Sequence, residues 1–101
     1  MDKTEAIRVA GKYIKKASEK YIISKAVLFG SYAKGTNHKD SDIDIAIISK
    51  DIKDVVDMQY ELMKLKRGID LRIEPHPFRE KDFVPSNPIV SEILNSGLTI
   101  R

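Results

Sequence analysis

The apolar residues of this chain change period several times, and each change marks an element. Over residues 3–20, Ile7, Ala10, Ile14, Ala17 and Tyr21 recur every three or four positions, the stripe of an amphipathic helix. Residues 25–29 read as a short strand closing on Val27, Leu28 and Phe29. From 42 to 49 the pattern alternates, with Ile43, Ile45 and Ile47 to one side and Asp42 and Asp44 to the other. Helical spacing returns over 53–67 in Val55, Met58, Leu62 and Leu65, flanked by Val56, Tyr60 and Met63, and Gly68 stops it. Ile69, Leu71 and Ile73 then alternate with Asp70, Arg72 and Glu74 in a third strand, which Pro75 and Pro77 are expected to end. Asn87 caps a short helix with Pro88 in its first turn, running to about Ser96. Gly97 terminates it, and Leu98 to Ile100 can add an edge strand. This order predicts an α+β fold: a small mixed sheet with helices packed over one face, the other face carrying the acidic residues.

Length and composition narrow the class. At 101 residues the chain is expected to form one domain, 1–101, around one modest core. Apolar residues at 42% and charged residues at 33% give a soluble globular balance rather than disorder or a membrane span. The longest apolar run, around Ala46 to Ile48, is far too short to cross a bilayer, and no apolar leader is visible at the N-terminus. The expected location is cytoplasmic. With no cysteine there is no disulfide framework and no thiolate zinc site. The net charge of +3 is uneven: residues 1–40 hold nine Lys/Arg against four Asp/Glu. Without interleaved aromatics this reads as a solvated lysine-rich helix face rather than a nucleic-acid patch, though its field would attract a small polyanion.

The chemistry concentrates in GSYAKGTNHKDSDIDIAII, residues 30–48. Gly30 lets the backbone turn tightly after the first strand. Ser31 is expected at the N-cap of a helical turn, its hydroxyl and the nearby N–H groups free to meet a phosphate oxygen. Gly35 closes that turn. Asp42 and Asp44, two apart on a strand, project from one face, and their mutual repulsion makes sense when a divalent cation neutralises them; hard oxygen ligands suit Mg²⁺.

These residues resemble the signature of the DNA polymerase beta–like nucleotidyltransferases, Gly-Ser-x10-Asp-x-Asp, carried here by Gly30, Ser31, Asp42 and Asp44. The wording Gly-Ser-x-Ala-Lys-Gly and Ser-Asp-Ile-Asp resembles the minimal nucleotidyltransferases, small prokaryotic proteins often paired with a helical HEPN-domain toxin. Lys34 stands where many relatives have Arg, which keeps the charge but loses a bidentate grip. The resemblance implies a polymerase beta palm-like fold and transfer of AMP from ATP, with two Mg²⁺ ions bridged by Asp42 and Asp44. Asp70 is the candidate third carboxylate, binding the ion on the nucleophile side, since it starts a strand on the polar face. Its plainer role is a strand-edge charge paired with Arg72 or Lys66.

Glu74 lies on the same face as Asp70, but four residues along a strand is about 13 Å, too far for the two to share one ion. Lys34, Lys39, Arg72 and Arg79 are available phosphate-binding cations, with Lys34 best placed in the turn. His38 reads as an exposed loop residue, and His76, between two prolines, as remote from the site.

About 26 residues follow Pro75, enough to finish a core and little else, so the acceptor is expected to dock on an exposed surface brought by a partner. The resemblance implies a tyrosine of the HEPN toxin, adenylylated by its antitoxin. Two other readings compete with it. One is a non-catalytic module that masks the toxin by contact; the other is a small-molecule nucleotidyltransferase whose homo-oligomer forms the acceptor pocket.

Overall fold

A hydrogen bond from the Glu5 backbone N–H to the Asp2 carboxylate, 2.8 Å, starts the first helix, α1 (Lys3–Ala17), in the computed structural model, which describes residues 1–101. Its buried stripe is Ala6, Val9, Ala10, Tyr13, Ile14 and Ala17. Small alanines let the helix lie close on the sheet, which turns the buried face away from Ile7, 39% exposed. The helix ends at Ala17, short of the expected residue 20. The Tyr13 hydroxyl donates to the Leu62 carbonyl at 2.6 Å, tying α1 to the helix over Val55–Leu65, and burial pushes its pKa well up.

After α1 come β1 (Ile23–Phe29), a single-turn helix α2 (Ser31–Lys34), β2 (Ile43–Ser49), α3 (Val55–Leu65), β3 (Ile73–Arg79), α4 (Pro88–Ser96) and β4 (Leu98–Thr99). The sheet order is β3-β2-β1-β4; β2 and β3 run parallel and the other pairs antiparallel. The mixed α+β sheet matches the expectation. Ile43, Ile45 and Ile47 are fully buried under α1, α2 and α3, each contributing on the order of 1.5–3 kcal/mol. The opposite face is not wholly open. Ile93 of α4 packs there with Val27, Ala46 and Ile48, covering part of the face that carries the acidic residues.

The third strand departs from the sequence pattern. It spans 73–79 rather than 69–74, and Pro75 and Pro77 lie inside it. The reason is its position at the sheet edge. The Arg72 carbonyl accepts from the Ile43 N–H at 2.8 Å, so even-numbered backbone groups face β2 and odd-numbered ones face outward. Proline therefore removes donors only on the outer edge, where a strand tolerates the loss. The outward carbonyls are met as well: Lys66 donates to that of Ile73 at 2.8 Å, and Gln59 to that of Pro75 at 3.1 Å.

Candidate active site

Parallel and antiparallel register together write three rows of side chains across the α4-covered face. Phe29, Asp44 and Glu74 form one row, Val27, Ala46 and His76 the next, and Lys25, Ile48 and Phe78 the third. Adjacent strands lie about 4.8 Å apart, so Asp44 and Glu74 are immediate neighbours. By alternation Asp42, exposed just before β2, belongs to the same face; it makes no side-chain hydrogen bond or ion pair.

Gly30 abuts this row. Its φ of 77° and ψ of −154° are open essentially to glycine alone, and a Cβ there would stand 2.5 Å from Asp44 Oδ2. The turn thus brings bare backbone against the carboxylate. Gly30 itself occupies the N-cap, and Ser31 is the first residue of α2 instead of the expected cap. The Ser31 carbonyl accepts from the Gly35 and Thr36 N–H groups, and Gly35, at φ 76°, closes the turn in the left-handed conformation. Lys34 reaches α4, where its ammonium pairs with Glu92 at 2.5 Å and lowers that carboxyl's pKa.

Asp70 is not on a strand. It lies in the turn before β3 and is gripped by Arg72, whose Nε and Nη2 donate to its two carboxylate oxygens at 3.0 and 2.8 Å, while the Arg72 backbone N–H adds a third bond. These hydrogen bonds hold its carboxyl below the usual range. Glu5 of α1 is lowered chiefly by its own hydrogen bonds to Arg8. The expected strand position for Asp70 fails because the chain makes a turn at 66–72, where the backbone N–H groups of Ile69 and Asp70 both bond the Lys66 carbonyl.

Glu74 and His76 stand beside Asp44. Glu74 is beside it in register and approaches Lys66 Nζ at 3.5 Å. His76 Nε2 lies 3.1 Å from Asp44 Oδ1, with its ring tilted on Phe29 at 5.0 Å between centroids. The sequence placed Glu74 on this face, but His76 is not legible there while the prolines are taken to end the strand; the signal was the alternation of Glu74, His76 and Phe78. Asp42, Asp44 and Glu74 are not gathered into a ready cage of three ligands, because Asp44 and Glu74 each lean on another partner. The donor set is nonetheless oxygen-rich and one-sided, as a hard divalent cation requires. The surface concavities lie elsewhere: the largest, 280 Å³, is lined by Lys20, Tyr21, Asp51, Ile52, Asp54 and Met58, beyond the opposite end of β2. The carboxylate face is an open surface that a bound partner can reach.

The sequence pattern of the nucleotidyltransferase domain matches residues 11–98. The chain belongs to that family. Protein adenylyltransferase MntA of Shewanella oneidensis is 34% identical over 65 residues, covering 64% of this chain and 47% of that one, so the chain spans about half the length of this curated relative. Among solved structures, a protein assigned as a nucleotidyltransferase from Sulfolobus solfataricus superposes with a TM-score of 0.71 at 19% identity, over 96% of this chain and 80% of its own. A toxin–antitoxin structure with AMP-PNP gives 0.66 at 26% identity, over 90% and 72%. The nucleotidyltransferase fold is thereby shown, and the Gly30 turn and the Asp42–Asp44 strand lie inside the matched region. No helix is long and apolar enough to cross a membrane.

Proposed function

We propose that residues 1–101 act as one minimal nucleotidyltransferase domain that transfers AMP from ATP to a hydroxyl of a partner protein. The partner is a toxin, of the helical HEPN class by resemblance, modified on tyrosine in the cytoplasm. The observation that carries this reading is the row on the α4-covered face: Asp44 set against the bare backbone of Gly30, with Glu74 in register beside it and Asp42 two residues before. Support for the protein acceptor comes from the similarity to MntA, a protein adenylyltransferase, and to the toxin–antitoxin structure with AMP-PNP.

In this proposal Asp42, Asp44 and Glu74 hold two Mg²⁺ ions, with Glu74 taking the place first expected of Asp70. Bound there, the ions would neutralise the α-phosphate and the leaving pyrophosphate and acidify the attacking hydroxyl. The acceptor oxygen forms a bond to the α-phosphorus, and the bond to the β-phosphate oxygen breaks. Pyrophosphate leaves, and the hydroxyl proton passes to Glu74 or to water. The Gly30–Ser31 turn offers its backbone N–H groups to the phosphates, and Lys34 can add charge once released from Glu92.

Incubation of the protein with ATP, Mg²⁺ and the product of an adjacent gene for a helical partner, followed by intact-mass measurement, tests the proposal. The partner should gain the mass of AMP, and Asp44→Asn should prevent it. A partner neutralised by both proteins with no gain in mass would favour a masking module instead.

A further inference from the structure

His76 sits where the sheet gives it a particular task. Its row holds Ala46 at the centre, and the small methyl leaves room for the imidazole to lean across the strand toward Asp44. Phe29, on the far side of Asp44's row, meets the ring at 5.0 Å with a 59° tilt and limits how far it can swing. Nε2 then lies 3.1 Å from Asp44 Oδ1. An ionised carboxylate can only accept, so Nε2 carries the hydrogen. The other oxygen, Oδ2, faces the Gly30 backbone, at 2.5 Å from where a Cβ would stand. Asp44 is thus held by one N–H donor on Oδ1, while Oδ2 lies beside bare glycine backbone with no hydrogen-bond partner.

We propose that His76 is a positioning residue for Asp44, fixing the rotation of its carboxylate for a divalent cation, with Phe29 as the backstop of the imidazole. The inference rests on the reading of Asp42 and Asp44 as a divalent-cation site. Outer hydrogen bonds of this kind orient ligating side chains, and their removal typically costs about 10–100-fold in metal affinity. The donor, rather than the imidazole as such, does this work, so a side-chain amide that reaches the same oxygen can replace it.

The test titrates Mn²⁺ into the purified protein, without ATP or partner, and follows free Mn²⁺ by electron paramagnetic resonance; circular dichroism checks the fold of each variant. The parent should bind Mn²⁺ and Asp42→Asn should abolish that binding. Absence of Mn²⁺ binding by the parent would defeat the cation-site reading itself. With parental binding established, folded His76→Ala should weaken it about 10–100-fold, and His76→Gln should recover most of the loss. Unchanged affinity in His76→Ala would overturn the proposal. A folded His76→Gln as weak as His76→Ala would overturn it too, because the imidazole would then be a direct ligand.

Discussion

At the scale of single residues, the carboxylates of this protein are distinguished by what they touch. Asp44 faces a glycine backbone and an imidazole, Asp42 faces solvent, and Asp70 is enclosed by one guanidinium. A carboxylate already bound through both oxygens to an arginine has little left to offer a cation, whereas it has much to offer the fold. Asp70 ordinarily titrates near 3.8 and is held lower by Arg72, so the pair contributes its full stability above that value and loses it as the pH falls through the lower, folded-state value. Asp70→Asn should therefore cost about 1 kcal/mol near neutrality, the gap to the parent closing below about pH 4. Urea unfolding across that range checks it. Equal stabilities near neutrality, or a gap that persists undiminished into strong acid, would contradict the structural role.

Elements carry the next level of the account. The Asp42–Asp44 strand and the Gly30 turn were legible because each depends on local chemistry: a two-residue alternation between isoleucines, and a glycine where no side chain fits. The capped α4 was legible for the same reason, through Asn87 and Pro88. β3 was not. Its proline pair reads as a stop unless the strand is known to lie at an edge with residues 75 and 77 facing out, and that depends on the parallel register with β2. The same missing fact hid His76, whereas Glu74 was legible on the acidic face and was set aside in favour of Asp70. In α4, Glu92 holds Lys34, the lysine of α2 proposed to meet phosphate. Both side chains are well exposed, so the pair is weak and exchangeable. Glu92→Ala should free Lys34 and tighten ATP binding a few-fold at low salt, while Lys34→Ala should weaken it, both effects fading as salt screens the charges. Calorimetric titration with ATP resolves the signs; identical affinities in the two variants would remove Lys34 from the nucleotide site.

For the whole molecule, the sheet divides the work. Three helices and a stripe of buried isoleucines occupy one face, while α4 covers part of the other and leaves the row of Phe29, Asp44 and Glu74 beside it. That division suits the proposed reaction, in which an acceptor borne by another protein would need approach rather than enclosure. The central claim is that the reaction runs on this row, with Glu74 and not Asp70 as the third carboxylate. Its most direct test is the rate of AMP incorporation into the partner, followed by intact mass under single-turnover conditions for Glu74→Gln and Asp70→Asn side by side. Glu74→Gln should slow transfer at least about a hundredfold, with Asp70→Asn remaining within a few-fold of the parent when assayed near neutrality below its unfolding temperature. A folded Asp70→Asn that transfers nothing, beside a Glu74→Gln that transfers at the parental rate, would contradict the account and return the third carboxylate to the turn.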